Sequence, residues 1–360
     1  MKIIVITKSK IKDIPPVISV AHILSDLGHS INVITSEVNE KTAEGFNKKG
    51  IEYTVFPYSN ASHPFKKIYE YIMFRNKVLN HLRLANFDLL WIEGAHTLLS
   101  LGKGIKRYKY ILQISELHEN SKKQLKAIGN VIHDAYAVFM PEYNRAAIYR
   151  AWFKLKKMPF ILPNKPQYIC NDEELERYQR THAERIKVFE EKKVILYQGY
   201  LGRDRDLTPF VKAVKELGED YRFVIMGEHR KMVDTYKEID PNLIHIGFTP
   251  APEHLAYTSK AFIGILSYDP IILNNAFCAP NKIFEYTNFG VPIICNELPG
   301  LKSMLDSYKA GISVDITDIE TIKKSILEIS QNYNEFHNNA IRLYQSVDNL
   351  NTIRTVLNKI

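Results

Sequence analysis

The chain has 360 residues, of which 45% are apolar and 24% charged, a balance that suits a globular protein with two hydrophobic cores. No apolar run approaches the roughly 20 residues that a membrane span needs, and the opening stretch MKIIVITKSKIKDIPPVI has neither the apolar length nor the small-residue cleavage site of a signal peptide. Three widely spaced cysteines, Cys170, Cys278 and Cys295, argue against a disulfide framework or a zinc site and fit a reducing cytoplasm. The charge is uneven: residues 1–165 carry 25 basic and 13 acidic side chains, net +12, while the remainder is net −4. A basic half beside a mildly acidic one suits contact with an anionic ligand or surface, although solvated lysines would give the same count.

In chain order, KIIVIT predicts a strand, PPVISVAHILSDLGH a helix that ends at Gly28, and SINVIT a second strand. DLLWIEG, YKYILQIS and AYAVFM continue the scheme, with helical stretches between them. The alternation restarts after PFILPNKP, with KVILYQGYL, RFVIMGE, LIHIGF, FIGILSY and VPIICNE. Such alternation implies parallel sheets with helices on both faces. The expected organisation is therefore two doubly wound, Rossmann-like α/β domains, 1–165 and 166–339, joined near Pro163 and Pro166. The charged run NDEELERYQRTHAERIKVFEEKK reads as one solvent-facing helix.

Open parallel sheets bind ligands at the carboxyl ends of their strands, so the loops there carry the function. No G-x-G-x-x-G follows any strand, and no G-x-x-x-x-G-K-[ST] occurs, which removes support for a dehydrogenase and excludes a P-loop enzyme. The loop GYLGRDRDL places Gly199 and Gly202 before Arg203 and Arg205, ahead of a helix from about Leu207. Glycines allow close backbone approach, and arginines at a helix start suit a phosphate. The pattern equally describes an exposed turn with Arg–Asp pairs. In CAPNKIFEYTNFGVPIICNELPG, the segment KIFEYTNF predicts a helix stopped at Gly290 and Pro292. Asn281 and Glu285 lie four apart on one face of it, where the carboxylate can accept two hydroxyls, as from a ribose, and the backbone of Ala279 to Lys282 can meet phosphates. A glutamate that complements the helix dipole and an exposed lysine would share this spacing.

APNKIFEYTNFGVPIICNELPGL resembles the donor-site motif of GT-B-fold glycosyltransferases similar to family 4, whose surface-polysaccharide members read P-N-K-x-x-E-Y-x-x-x-G-x-P-V-I here. The resemblance extends to ILYQGYLGRDRDLTPFVKAVKEL, NLIHIGFTPAPEHLAYTSKAFIGILSY, PFILPNKP and, more weakly, SVAHILSDLGHSINVIT. It implies two domains that face across a cleft, with a C-terminal helix, 340–360, that crosses back to the first. It implies that Glu285 binds the donor ribose as the second glutamate of an E-x7-E motif whose first position is Phe277 here. Arg205 takes the place of the family's phosphate-binding lysine; the partner arginine is Tyr200 here, with Arg203 as its substitute. Gly199, Gly227, Phe248 and Pro250 match positions around the nucleotide, and Lys282 lies within the motif. In the first domain the resemblance points to a functional histidine: His118, with Glu116 as an alternative, and with His96 at the end of another strand.

The expected reaction is retaining and needs neither metal nor cofactor; cations and helix N–H groups would stabilise the leaving diphosphate. Asp204 and Asp206 form a D-x-D, but arginines flank it and it reads as surface. The donor is a nucleotide-diphosphate sugar, UDP-linked by preference, and the acceptor a cell-surface glycan or a lipid-linked glycan. The basic, aromatic stretches FKKIYEYIMFRNKVLNHLRL and YRAWFKLKKMPF suggest a cytoplasmic protein that meets an anionic membrane. Ile68, Ile72, Leu79 and Leu82 would form the apolar stripe of the first stretch, unless that stripe packs in the core. Nucleic acid is not expected, because no binding module is evident. A non-catalytic donor-binding subunit and a sugar-nucleotide 2-epimerase remain as alternatives.

Overall fold

A computed structural model describes residues 1–58, 63–202 and 204–360. The chain forms two units, Met1–Gln167 with Asp348–Ile360, and Tyr168–Val347.

In the first unit the apolar runs become strands of one parallel sheet: β1 (Lys2–Ile6), β2 (Ser30–Thr35), β3 (Glu52–Val55), β4 (Leu89–Glu93), β5 (Tyr110–Gln113), β6 (Ala137–Met140) and β7 (Phe160–Ile161). Their order is β3-β2-β1-β4-β5-β6-β7. Val5 of β1 sits opposite Val33 on one side and Trp91 on the other. Every residue of β4 is buried, as expected of a central parallel strand covered on both faces. The helix Pro15–Asp26 begins with two prolines, whose fixed φ suits a first turn, and the chain leaves it through Gly28 at φ 80°. Its Val17, Val20 and Leu24 share a core with Ile353, Val356 and Leu357 of the last helix, Asn349–Leu357.

The second unit contains β8 (Lys193–Gln198), β9 (Tyr221–Met226), β10 (Ile244–His245), β11 (Ile263–Leu266), β12 (Ile293–Asn296) and β13 (Gly311–Val314) in the order β10-β9-β8-β11-β12-β13, again all parallel. Alternation along the strands divides its core in two. Val194, Leu196, Val224 and Met226 face one helix layer, and Ile195, Tyr197, Phe223 and Ile225 face the other.

Both sheets have the 3-2-1-4-5 order of doubly wound folds, so connections diverge between β1 and β4 and again between β8 and β11. The crevice for a ligand opens at such a switch point.

Several expectations need adjustment. β3, β7 and β13 were not anticipated: they are two to four residues long, at or near sheet edges, and incompletely buried. The charged run forms two helices, Asp172–Thr181 and Ala183–Glu191, that meet at His182, and the second buries Ile186 and Phe189. The segment NNAFCAPN begins inside a short helix, Leu273–Ala276. The return to the first unit starts at Asp348 rather than 340, because the helix Tyr333–Ser346 buries Ala340 and Leu343 in the second unit's core. Asp348 then caps the final helix by accepting from the N–H of Asn351 at 2.8 Å.

Candidate functional site

In the second unit the site is built where β8 ends. Gln198, the last residue of that strand, is buried. Next comes Gly199 at φ 125°, a conformation open to glycine, with its N–H donating to the Met226 carbonyl at 2.8 Å. A Cβ at Gly227 would collide with the Gly199 carbonyl, so the strand ends approach this closely only because residue 227 is a glycine. A Cβ at Gly199 would in turn collide with the ammonium and Cε of Lys282. The space left by this glycine is therefore where the lysine head group lies.

The helix Lys282–Asn288 is pinned over the sheet by Tyr286, whose hydroxyl donates to the Leu196 carbonyl at 2.9 Å and whose ring occupies the space beside Gly264. This places Glu285 against Gln198. The buried Thr258 hydroxyl donates to Gln198 Oε1 at 2.6 Å, and Gln198 Nε2 donates to Glu285 Oε2 at 2.5 Å. His254 Nε2 lies 3.4 Å from the same oxygen. Burial by itself would raise the Glu285 pKa; the His254 charge and hydrogen bond, with Lys282 and Gln198, overcome this and hold the carboxyl below its ordinary value. Burial lowers the Lys282 pKa to about 8, with Glu285 opposing the shift and Arg205 adding to it. Both groups remain mainly charged at neutral pH.

Arg205 lies with its guanidinium 3.9 Å from the centre of the Tyr268 ring and donates to the carbonyl and carboxylate of Asp204. Asp206 accepts from the N–H of Thr208 at 2.9 Å, so both carboxylates of the D-x-D serve local structure. Asn281 stands at the helix start without a side-chain capping bond. Ala279 and Phe277 are half-buried; Phe277 follows the helix Leu273–Ala276. Phe248 and Pro250 are exposed, and the Pro250 carbonyl accepts from the N–H of His254. Arg203 lies outside the described residues.

In the first unit a second polar cluster lies at the carboxyl ends of β1, β4 and β5. Thr7 donates to the buried Glu93 at 2.8 Å, and burial, with Glu116 adding to it, pushes Glu93 up to about 7. The Lys8 ammonium lies over the rings of Tyr58 and Tyr71, 2.9 and 4.1 Å from their centres, and burial lowers its pKa to about 8. His96 Nδ1 is 2.6 Å from the Tyr71 hydroxyl and its Nε2 is 3.1 Å from Gln124 Nε2. His118, half-buried, has its pKa lowered to about 4, chiefly by burial. Glu116 reaches instead to Arg145, 3.5 Å away, and is half-exposed.

Sequence reasoning thus singled out Glu285, Lys282, Arg205 and the glycines, which the fold gathers, but missed Gln198, Thr258 and His254. Gln198 left a trace, as a polar residue that closes an apolar strand. Lys8, Tyr71 and Gln124 left none that separates them from surface residues.

Residues 179–343 match the model of the family "Glycosyl transferases group 1". No curated protein matches the chain. Among solved structures, the chain resembles Anabaena Alr3699/HepE in complex with UDP and glucose, at 11% identity, 100% and 99% coverage of this chain and that one, and a TM-score of 0.75. A glycosyltransferase from Rickettsia africae ESF-5 aligns at 15% identity, 99% and 97% coverage and a TM-score of 0.74. A putative UDP-N-acetylglucosamine 2-epimerase from Listeria monocytogenes aligns at 13% identity, 95% and 90% coverage and a TM-score of 0.60. The two parallel α/β units and these likenesses define the class: the chain has the GT-B fold. Within it, the glycosyltransferase group 1 match covers most of the second unit, which carries the Glu285–Lys282 site.

Proposed function

We propose that this protein is a retaining, metal-independent glycosyltransferase, resembling family 4, that moves a sugar from a nucleotide-diphosphate sugar to a cell-surface or lipid-linked glycan. The observation that carries the reading is the charged pair in the second unit: Glu285 held ionised by His254 and Gln198, beside a lysine seated against Gly199. A nucleoside diphosphate needs both features. Glu285 Oε2 receives Gln198 and His254, which leaves acceptor capacity on the carboxylate for the ribose hydroxyls. Lys282 and Arg205 hold the diphosphate and stabilise the charge that grows on it as the glycosidic bond breaks; Arg203 is proposed to assist. The engagement of Asp204 and Asp206 with Arg205 and Thr208 favours cationic side chains over a metal for this task. UDP is the favoured leaving group, by analogy with the UDP bound in the HepE structures.

The first unit would supply a polar group to the sugar, with His118 the leading choice and His96 and Glu116 the others. It would also meet anionic lipid that carries the acceptor, from the cytoplasmic side. The helix Pro64–Leu84 supports this reading through its two-part surface. Its second half turns Phe74, Val78 and Leu82 into the core, and Leu79 packs toward Gly104. Its first half exposes Phe65, Ile68, Tyr69 and Ile72 at helical spacing, beside Lys66, Lys67 and Arg75. Thus Ile68 and Ile72 of the expected stripe are available, and Leu79 and Leu82 are not. No described helix is long and apolar enough to cross a membrane.

The experiment is a panel of radiolabelled nucleotide sugars, with transfer and hydrolysis measured for wild type and Glu285→Gln. Sugar release by the wild type that falls sharply in the variant supports the reading. Epimerisation without transfer would support an epimerase, and tight binding without turnover a non-catalytic subunit; either result sinks the proposal.

A further inference from the structure

We propose that Thr258 and Gln198 are positioning residues for ligand recognition: the Thr258 hydroxyl fixes the sense of the Gln198 amide, and that amide turns the Glu285 carboxylate so that Oε1 faces the diol of a bound ligand. That the diol is a ribose rests on the glycosyl-transfer reading; the relay is a property of the second unit by itself.

The geometry starts with one helical turn. His254 and Thr258 are four residues apart and share a face, with the His254 carbonyl accepting from the N–H of Thr258 at 3.2 Å. The turn is anchored at its start, where the N–H of His254 donates to the Pro250 carbonyl. From this face two side chains reach the same carboxylate oxygen. His254 Nε2 does so directly, 3.4 Å from Glu285 Oε2. Thr258 does so through Gln198, with 2.6 Å from its hydroxyl to Gln198 Oε1 and 2.5 Å from Gln198 Nε2 to Glu285 Oε2. Oε1 of Glu285 receives neither donor.

The amide can serve only one way round. An ionised carboxylate accepts and does not donate, so it requires the Nε2 end of Gln198. Reversal would set the amide oxygen 2.5 Å from a carboxylate oxygen with no proton between them. Gln198 Oε1 must then find its own donor, and the Thr258 hydroxyl supplies it. That hydroxyl also lies 3.2 Å from the His254 carbonyl, but the contact with Gln198 is the shorter. Thr258 is 0% exposed and Gln198 3%, so no solvent replaces a lost partner. Deleting the hydroxyl would leave a buried amide oxygen unpaired and remove the reason for the amide to keep its sense.

The electrostatics agree with the contacts. His254, Lys282 and Gln198 together hold the Glu285 carboxyl below its ordinary value against the effect of burial. A carboxylate held in one orientation before the ligand arrives has less freedom to lose on binding. Thr258 thus governs recognition of a diol from a position behind Gln198, and the base and diphosphate contacts do not depend on it.

The test has two arms, each with Gln198→Met, Thr258→Val and Thr258→Ser in the full chain. Valine matches threonine in shape without the hydroxyl, and serine keeps the hydroxyl. The first arm is carbon NMR at neutral pH of protein labelled at the glutamate carboxyl carbon, with no ligand; the Glu285 line is the one lost in Glu285→Gln. That line should move in Gln198→Met and in Thr258→Val and return to its wild-type position in Thr258→Ser. A line unmoved in either of the first two, or displaced as far by serine as by valine, overturns the proposal. The second arm is calorimetry with UDP and its 2′,3′-dideoxy analogue, which share the base and the diphosphate. The wild-type preference for UDP should shrink by at least about threefold in Gln198→Met and Thr258→Val, with affinity for the dideoxy analogue unchanged, and Thr258→Ser should restore it. A preference that survives undiminished in both variants also overturns the proposal. If the wild type binds the two nucleotides equally, or neither, the NMR arm still decides the relay, and the failure belongs to the ribose assignment in the proposed function.

Discussion

Where β8 ends, Glu285 is held in its charged form beside a lysine; where β4 ends, Glu93 is equally close to a switch point yet is pushed up to about 7. The two sheets share a strand order, and both carboxylates sit close to the edge where connections diverge. The partners differ. Glu285 receives an amide hydrogen bond and lies near a histidine and a lysine. Glu93 receives one hydroxyl, from Thr7, and has Glu116 nearby. The neighbouring Lys8 ammonium and the imidazoles of His96 and His118 are likewise shifted by burial toward their neutral forms. The lysines do not carry the contrast, since Lys8 and Lys282 are both lowered to about 8 and both stay mainly charged at neutral pH. One topology thus holds an ionised Glu285 in the second unit and a partly protonated Glu93 in the first.

The second-unit side of the comparison can be broken most sharply at Lys282. Lys282→Met should weaken nucleoside diphosphate binding by about 2–5 kcal/mol, the cost of losing one partner of a desolvated charge contact, and leave the free nucleoside unaffected. Arg205→Ala should act in the same direction and less, because Asp204 already occupies part of its guanidinium. Calorimetry with UDP and uridine reads both; equal losses for the two ligands would mean damage to the fold instead.

Glu285→Gln should weaken binding of nucleotide and nucleoside alike by about 1–3 kcal/mol, since the ribose is common to both. An unchanged uridine affinity would remove the ribose from this carboxylate.

Glu93→Gln sharpens the other half of the comparison. The folded-state pKa of Glu93 lies above its unfolded value, so the folded chain binds the extra proton between the ordinary glutamate value of 4.5 and about 7. Its contribution is fully present below 4.5 and is lost as pH rises toward 7. The amide variant has no proton to lose. Its stability relative to wild type should therefore improve by up to about 1.4 kcal/mol per pH unit across that window, seen in thermal melts. A difference that does not vary with pH would contradict a buried, mainly neutral Glu93.

The smallest effect concerns the helix Pro64–Leu84. Binding to anionic vesicles should fall with rising salt and weaken by about 1 kcal/mol for each of Lys66, Lys67 and Arg75 changed to Gln. Equal sedimentation with neutral vesicles would remove charge from the account.

The legible part of this molecule was local. Long β-branched runs announced the central strands, because strands covered on both faces are apolar throughout. Lys282 and Glu285 could be read because both lie on one short helix in a single motif. Gln198, Thr258 and His254 could not, since they meet Glu285 only after β8 and the helix Leu255–Thr258 are folded together. The same is true of Tyr71, His96 and Gln124, which come from three different helices. The stripe on Pro64–Leu84 was half misread for a related reason: helical spacing marks an apolar face but not where along its length that face stops being covered.

The most direct test of the charged second-unit site is UDP affinity measured from pH 6.5 to 9.5 for wild type and Lys282→Met. Lys282 titrates near 8 in the free protein, so wild-type affinity should be steady below that value and fall above it, approaching tenfold per pH unit, while the variant binds weakly with no such bend. A wild-type profile that is flat through pH 8, or a bend that survives in Lys282→Met, would contradict the assignment of Lys282 to the diphosphate.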